Sequence, residues 1–312
     1  MEIYKEIPKK NKPTCVAIGK FDGVHLGHLS LLEELVLIAE LNETESLCFS
    51  FEPFPEEFFS GKSVKRINTK GEIISAMDEI GVDSLVRVNF DAAFSEITPE
   101  SFVKDILVGK LRAKTVVCGE DVSFGKEGRG NLELLNKLKD KYGFEVEVID
   151  KVMYKDECIS SKRIGTAIKE GRFEDVSEML GYDYYLYGAI VKGEGLGRTF
   201  EVPTVNINPP AERIIPKNGV YFTVVETDEK EYYAITNVGV RPTVSDGSAV
   251  NIESHLLNCE KGVDLYGEHI KVYFLSFLRD ETVFSSKEEL FAQIKKDIDD
   301  AKAFFGMEKE IK

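Results

Sequence analysis

Hydrophobic positions in the first 181 residues follow two alternating periods. Short apolar runs rich in Val, Ile, Phe and Cys predict buried strands at 14–19, 46–51, 84–88, 115–119 and 144–149. Between these runs, apolar residues recur at helical spacing and predict helices with the stripes Leu31/Leu35/Ile38/Leu41, Ile73/Met77/Ile80, Phe102/Ile106/Leu107/Leu111 and Leu132/Leu135/Leu138. Alternating strands and helices predict a doubly wound α/β fold around a parallel sheet, which binds ligands beyond the carboxyl ends of its strands.

The pattern changes after Gly181. Apolar runs follow one another with turn residues and no helical stripe between them, at 184–191, 219–227, 232–238, 251–257 and 270–278. This arrangement predicts an antiparallel β-barrel. A capping box at Ser286–Glu289, followed by an apolar stripe, predicts one C-terminal helix. Because 312 residues exceed what a single core usually serves, we expect two domains, 1–182 and 183–312.

Composition narrows the choice of partners. The formal net charge is −15, whereas a duplex-binding protein needs a broad cationic face, so we expect no nucleic-acid partner. No apolar run approaches the roughly 18 residues that span a bilayer, and the first residues lack a signal-peptide core. We therefore expect no membrane partner and a cytoplasmic location. The five cysteines are widely spaced, which fits buried thiols in a reducing compartment. Nothing in the composition decides self-association.

The first candidate site follows the first predicted strand. Gly19–His28 reads Gly-Lys-Phe-Asp-Gly-Val-His-Leu-Gly-His and leads into a predicted helix. Glycines let the backbone approach a ligand closely, and a helix N-terminus offers unpaired N–H groups. His25 and His28 are three residues apart, so both can face one phosphate chain and donate to its oxygens as charge develops. The alternative is a solvated loop with two incidental histidines, but the whole chain has only four.

A pair of serines opens a later predicted helix. Ser160 and Ser161 precede Lys162 and Arg163. Hydroxyl and amide groups at a helix start can hold phosphate. Such a pair more commonly caps the helix, and both roles can hold at once.

The predicted barrel contains the other candidate site. A strand runs into the glycine-rich loop Lys192–Arg198, which alone is a weak signal because many hairpins carry glycines. Thr204 and Asn206 alternate along an extended segment, so their side chains share a face, and their oxygens suit magnesium bound to phosphates. Glu253 lies mid-strand and can accept a hydroxyl proton in a partly dry site. Taken singly, each of these residues also fits a solvent-facing strand.

The motifs of the first domain resemble the FMN adenylyltransferase module of bacterial bifunctional riboflavin kinase/FAD synthetases, in the nucleotidyltransferase superfamily. Gly19–His28 matches that family's signature almost letter for letter, and Gly119–Gly125 is similar to a later Gly-x-Asp-Phe-x-Phe-Gly segment. The resemblance implies that His25 and His28 are catalytic contacts to ATP phosphates. It also implies nucleotide contacts from Gly19, Phe21, Asp22, Gly27, Ser160, Ser161 and Arg163, and flavin contacts from Asp121 and Phe124.

Three positions depart from the family pattern. Phe54 stands where the family usually has His. Within a motif that is usually Ser-Ser-Thr-x-Ile-Arg, Lys162 replaces the Thr and Gly165 replaces the Arg. Because these changes remove an imidazole, a hydroxyl and a guanidinium, a kinase with a degenerate first domain is the closest alternative.

The second domain resembles the riboflavin kinase module over about residues 183–305. The segments that stand in family order are Gly219–Tyr221, Asn237–Thr243, Asp264–Gly267 and Leu278–Glu281. By this resemblance Thr204 and Asn206 bind Mg²⁺ and ATP, and Glu253 is the catalytic base toward the ribityl 5′-hydroxyl. It also implies nucleotide contacts from Gly193, Gly195 and Arg198, and flavin contacts from Arg241 and Arg279. Glu201 stands where the family usually has Gly, which we expect to alter a turn rather than the chemistry.

The two resemblances together predict a bifunctional enzyme. The barrel would transfer the γ-phosphoryl group of ATP to riboflavin, giving FMN, and the α/β domain would adenylylate FMN to FAD. A non-catalytic flavin- or nucleotide-binding regulator is the alternative from another class. The set Thr204, Asn206 and Glu253 argues against it, because a pure binder needs neither metal ligands nor a base.

Overall fold

The computed structural model describes residues 1–191, 203–241, 249–259, 265 and 267–307. The chain forms two compact units, Met1–Ser161 and Lys162–Lys312. Gly193, Gly195, Arg198 and Glu201, which carry predictions above, lie outside the described residues.

The first unit is built on a six-stranded parallel sheet. Its strands are β1 (Glu2–Tyr4), β2 (Thr14–Ile18), β3 (Glu45–Glu52), β4 (Ser84–Asn89), β5 (Ala113–Gly119) and β6 (Glu145–Ile149), in the order β1-β4-β3-β2-β5-β6. The five predicted strands are confirmed. The short strand β1 was not predicted, because it is mostly exposed and has no apolar run. A small antiparallel hairpin follows the sheet and consists of β7 (Met153–Tyr154) and β8 (Glu157–Cys158).

Helices connect these strands. They are α1 (Leu26–Leu41), α2 (Pro55–Ser60), α3 (Lys70–Ile80), α4 (Ala92–Ser95), α5 (Pro99–Ser101) and α6 (Leu132–Tyr142). Helix α5 begins with Pro99 after the N-cap Thr98 and continues as a π-helical segment, Phe102–Val108. The short helices α2 and α4 were not predicted, because neither is long enough to show an apolar stripe.

Both faces of the sheet are buried, which confirms the doubly wound fold. One face packs Val16, Leu47, Phe49 and Val86 against Phe102 and Leu135. The opposite face packs Cys15, Ala17, Cys48 and Leu85 against Leu32, Leu35 and Met77. The chain moves outward from β2 through β3 and β4 and then returns to β5 on the other side of β2. In such sheets the crevice where the strand order reverses is the usual ligand site, and Gly19–His28 follows β2 at that point.

The second unit contains a closed six-stranded antiparallel barrel, as predicted. Its strands are β9 (Tyr185–Val191), β10 (Thr204–Ile207), β11 (Gly219–Glu226), β12 (Glu231–Arg241), β13 (Ala249–Leu256) and β14 (His269–Arg279), in the closed order β10-β13-β12-β11-β14-β9. The sequence identified β10 only as an extended segment. Its four residues become a strand by pairing with β13 and β9.

Two helices stand before the barrel, α7 (Ser161–Glu170) and α8 (Phe173–Leu180). The ring of Phe173 is fully buried and its centroid lies 5.2–6.2 Å from those of Tyr184, Tyr221 and Phe274. Helix α8 therefore packs on the barrel. The second compact unit begins at Lys162, ahead of the domain boundary expected at 182–183, and that boundary stays a prediction.

The C-terminal helix α9 (Lys287–Phe304) covers the outside of the barrel. Its Ala301 packs with Val220, Phe222 and Ile235. Ser286 accepts the Glu289 N–H at 3.2 Å, as expected of an N-cap. The Glu289 carboxylate, however, accepts the N–H of Ser285 at 3.0 Å instead of that of Ser286. The predicted capping box is thus half formed, with its return bond shifted by one residue.

Candidate active sites

The turn between β2 and α1 has an unusual backbone. Phe21 (φ +57°), Gly23 (φ +93°) and Val24 (φ +36°) all adopt left-handed conformations. A β-branched residue with positive φ is strained, and such strain persists only where the surrounding structure holds it. A Cβ added to Gly23 would lie 2.9 Å from the Cδ1 atom of Ile67, so that side chain would have to shift; the positive φ is the stronger reason for glycine here. Turns of this kind direct successive N–H groups into a concavity that suits anions.

His25 and His28 lie together at the start of α1. Their rings stack with centroids 3.8 Å apart and an interplanar angle of 16°. His25 is the N-cap residue, and its Nδ1 accepts the backbone N–H of His28 at 3.2 Å. A Cβ on Gly27 would lie 3.2 Å from the His25 ring, so the glycine leaves room for that ring. The structure thus brings the two predicted phosphate contacts to one place.

Burial decides the charge of these two rings. It lowers the pKa of His25 to about 4. It also lowers the pKa of His28 well below the ordinary value, and the neighbouring His25 lowers it further. Both rings are therefore neutral at pH 7. Since Nδ1 of His25 accepts a hydrogen bond, its proton resides on Nε2, which leaves an N–H donor for a ligand.

Asp22 and Ser161 make hydrogen bonds that hold the turn between β2 and α1 in place. The Asp22 Oδ1 atom accepts the N–H groups of Ile67 at 3.0 Å and Asn68 at 3.3 Å. The Ser161 hydroxyl donates to the Asp22 carbonyl at 2.7 Å. Ser161 therefore lies at the turn and its hydroxyl bonds to the turn backbone, while its nucleotide role stays a prediction. Ser160 directly precedes it, whereas Arg163 belongs to the second unit, and the nucleotide roles of both stay predictions.

The predicted kinase residues lie side by side on two adjacent strands of the barrel, and Asn237 on a third strand extends the row. Asn206 on β10 lies directly opposite Glu253 on β13, and Glu253 lies opposite Asn237 on β12. Thr204 lies opposite His255 in the next pair on this face. Residues directly opposite in an antiparallel sheet point to the same side, so all five side chains share one face. Val220 on β11 lies opposite Asn237 and therefore shares this face. Because Val220 packs against α9, the face is on the outside of the barrel.

Comparison with known proteins identifies the family. The family model described as FAD synthetase matches residues 7–163, and the model described as riboflavin kinase matches residues 180–305. A bifunctional riboflavin kinase/FMN adenylyltransferase of Listeria monocytogenes is 35% identical over 293 residues, which cover 93% of this chain and 92% of that protein. The chain belongs to the bifunctional riboflavin kinase/FMN adenylyltransferase family. The Escherichia coli K12 member is 36% identical over 298 residues, 95% of this chain and 94% of that protein.

A solved structure supports the fold over most of the chain. The crystal structure of a macrolide-efflux protein from Streptococcus pneumoniae is 27% identical, with a TM-score of 0.84 over 96% of this chain and 98% of that one. In the described ranges of this chain, no helix has both the length and the apolarity needed to cross a membrane.

The family's usual histidine position is occupied by a buried phenylalanine. Phe54 is 4% exposed, and the guanidinium of Arg66 lies 4.2 Å from its ring centroid. Arg66, itself 5% exposed, bonds to Glu52 at 3.2 Å and Glu57 at 2.6 Å. The departure at 54 therefore creates a cation–π contact within a buried ion-pair network. Sequence reasoning missed Arg66, since no local spacing links it to Phe54.

The glycine at the family's arginine position also has a packing reason. Gly165 is buried on α7, and a Cβ there would lie 3.0 Å from the Cδ1 atom of Ile214. A side chain at this position would require Ile214 to shift by a few tenths of an ångström. Lys162, the other departure on this helix, is exposed.

The two flavin-binding candidates after β5 have different surroundings. Phe124 is 4% exposed and packs in the core, with its ring centroid 5.6 Å from that of Phe102. Asp121 is exposed and pairs with Lys151 at 3.3 Å. Asp121 is thus accessible to a ligand, whereas Phe124 anchors the loop in the hydrophobic core. The flavin contacts of both residues stay predictions.

An aromatic group near the first site was not predicted. Phe58 and Phe59 on α2 and Phe90 after β4 have ring centroids 5.3–5.8 Å apart. Phe59 is 66% exposed, which is unusual for so large an apolar side chain. Helix α2 borders the turn, because Lys20 pairs with Glu56. The signal available in the sequence was the density of phenylalanines between 49 and 59.

Arg279 is held by a structural partner. Its Nε and Nη2 atoms bond to the Asp297 carboxylate on α9 at 3.0 and 2.7 Å, and Asp297 is 4% exposed. This bidentate pair ties α9 to β14. Arg241 ends β12, but its side chain lies outside the description. The flavin roles of both arginines stay predictions.

Proposed function

We propose that the barrel phosphorylates riboflavin to FMN and that the first unit adenylylates FMN to FAD, each with ATP. The observation that carries the kinase proposal is the row of Thr204, Asn206 and Glu253 on one face of adjacent strands. It combines two neutral oxygen donors with a carboxylate that can take a proton. A non-catalytic regulator is not favoured, because both matching families are enzymes.

In the barrel, Glu253 would act as general base. Its carboxylate takes the proton of the ribityl 5′-hydroxyl as that oxygen attacks the γ-phosphorus of ATP, and ADP leaves. Asn206 is 3% exposed, so its amide is held in a fixed place beside Glu253. Thr204 and Asn206 fit magnesium, because hydroxyl and amide oxygens are hard ligands suited to a cation already bound to phosphates. The bound ion would neutralise charge on the β- and γ-phosphates.

In the first unit, the start of α1 would bind the phosphates of ATP. The FMN phosphate attacks the α-phosphorus, and pyrophosphate leaves. Because His25 and His28 are neutral at pH 7, they contribute directed N–H donors rather than positive charge. The positive end of the helix dipole adds to the same anion site.

The exposed aromatic group would receive the flavin ring. Phe58 and Phe59 present apolar aromatic surface on α2, and Lys20 links that helix to the turn where the phosphate would lie. Offset stacking on aromatic rings suits a flat heteroaromatic ligand. Asp121, the other flavin candidate with an accessible side chain, is exposed two residues after β5.

We place the protein in the cytoplasm. Burial raises the pKa of the Cys15 thiol to about 12 and that of Cys118 to about 11, and Cys48 is also buried. Such thiols are inert at neutral pH and fit a reducing compartment in which ATP is available.

Two substitutions in the full chain test the assignment. Glu253→Gln keeps the side-chain shape and removes the base, so FMN formation from riboflavin should fall about 10²–10⁴-fold. His28→Ala removes a transition-state donor, so FAD formation from supplied FMN should fall about 10²–10³-fold. Each variant should retain the activity of the other unit. Both reactions are followed by separating the flavin products over time with ATP and Mg²⁺ present.

Matched controls are Glu231→Gln, at an exposed strand residue, and His269→Ala, on the barrel surface. Both should behave as the parent protein. Normal FMN formation by Glu253→Gln would remove Glu253 from the mechanism. If FAD forms at the same trace rate in the parent and in His28→Ala, the kinase-only alternative is correct.

A further inference from the structure

The barrel site contains an imidazole that the proposed chemistry does not use. His255 lies directly across from Thr204 on the neighbouring strand, and its Nδ1 atom is 3.0 Å from the Thr204 Oγ1 atom. It is two residues after Glu253, so it shares the face of the catalytic row. Alternation along the strand was the signal by which the sequence could have identified it.

The direction of this hydrogen bond determines what Thr204 can do. A hydroxyl has one proton and two lone pairs, and a neutral imidazole has one donor nitrogen and one acceptor nitrogen. If Nδ1 donates, it occupies a lone pair of the Thr204 oxygen. If Nδ1 accepts, the hydroxyl proton points to His255, and the oxygen turns its lone pairs away from the ring, where they can face a cation or a donor on ATP.

We propose that His255 is a positioning residue of the kinase site, whose Nδ1 accepts the Thr204 hydroxyl proton and thereby aims the oxygen lone pairs at magnesium-bound ATP. This inference rests on the proposed role of Thr204. A free threonine hydroxyl rotates among staggered positions and would present its proton to the cation part of the time. The paired strands hold the ring opposite Thr204 and remove that freedom before the nucleotide binds.

The first test uses the unaltered protein. Acceptance by Nδ1 requires the proton to reside on Nε2, and nitrogen NMR of the imidazole side chains distinguishes the two tautomers. The chain has only four histidines, so single substitutions assign the signals. We expect the Nε2–H tautomer for His255 at pH 7. The Nδ1–H tautomer would overturn the proposal.

The second test separates positioning from packing. His255→Phe keeps a ring and removes the acceptor, whereas His255→Asn places an amide oxygen near the position of Nδ1. We expect His255→Phe to raise the KM for ATP and the Mg²⁺ requirement of FMN formation about tenfold, the usual value of one hydrogen bond, with a smaller change in kcat. His255→Asn should recover most of the loss. Circular dichroism and thermal unfolding report that the barrel of each variant is folded.

A double-mutant cycle with Thr204→Val decides whether His255 acts through the hydroxyl. The variant carrying both Thr204→Val and His255→Phe should be no worse than Thr204→Val alone. Multiplicative losses, parent-like kinetics of His255→Phe, or equal impairment of His255→Asn and His255→Phe would each overturn the inference. Normal kinetics of Thr204→Val would refute the proposed role of Thr204 itself, and the inference with it.

Discussion

At the scale of single residues, burial determines what each polar group contributes. In the first unit, Arg66 is only 5% exposed. Its guanidinium forms ion pairs with Glu52 and Glu57 and lies over the ring face of Phe54. A buried charge of this kind is tolerated only while its partners remain. The same network fixes the start of α2, which borders the candidate adenylyltransferase site.

Arg66→Met keeps much of the aliphatic stem and removes the charge. We expect a loss of about 3–5 kcal/mol in unfolding free energy, because the largely buried Glu57 is left without its cation and Glu52 is left with the exposed Lys70. FAD formation should fall as α2 loses its support. Urea unfolding and the FMN-to-FAD assay measure the two effects.

Arg129→Met is the matched control for this substitution. Arg129 pairs with Glu127 on the surface, where an ion pair contributes about 1 kcal/mol at most. Equal stability losses in the two variants would show that burial of Arg66 does not determine its importance.

At the scale of elements, the start of α1 combines a helix cap and a titrating group with the proposed phosphate site. His25 caps the helix through Nδ1 only while that nitrogen is unprotonated. The helix dipole also disfavours a cation at this end. The stability of the turn and its proposed phosphate binding therefore depend on the same neutral ring.

This arrangement predicts a pH dependence with a definite sign. The folded pKa of His25 is about 4, below its ordinary value of 6.5, so between these values the unfolded chain binds a proton that the folded chain does not. Stability should fall as the pH falls through this window. Asn is a strong N-cap residue that does not titrate, so His25→Asn should show a smaller loss in urea midpoint between pH 7 and pH 5. Parallel losses in parent and variant would contradict the assignment.

At the scale of the whole molecule, each compact unit carries one of the two candidate sites. The helices α7 and α8 precede the boundary predicted from composition, yet Phe173 on α8 packs in the core of the barrel unit. The barrel therefore depends on residues outside the segment whose strands were predicted. At the C-terminal end of the same unit, α9 is held to β14 by the ion pair of Arg279 and Asp297.

Two fragments test this dependence. A fragment of residues 162–312 should fold and form FMN. One of residues 183–312 should be much less stable, since it lacks Phe173 and the other buried residues of α8, and removal of one buried phenylalanine side chain costs about 3–5 kcal/mol. Thermal unfolding and FMN formation are measured on both. Equal stability would support the boundary at 182–183 and show that α8 adds little.

The local pattern of the sequence determined which helices and strands form and which positions along them carry the candidate site residues. The two-residue repeat of a strand predicted that the side chains of Thr204 and Asn206 share one face, and glycines predicted the turn before α1. Both predictions were possible because side-chain direction and backbone freedom are local properties. The strand–helix alternation likewise determined the doubly wound sheet.

Only the tertiary structure decided which distant segments meet. The pairing of β10 with β13 brings Thr204 to His255 and Asn206 to Glu253, and the packing of α2 brings Arg66 to Phe54. No periodicity encodes these contacts, since they depend on how whole elements pack. The charge of His25 and His28 was decided in the same way, because a pKa depends on burial, which exists only in the folded chain.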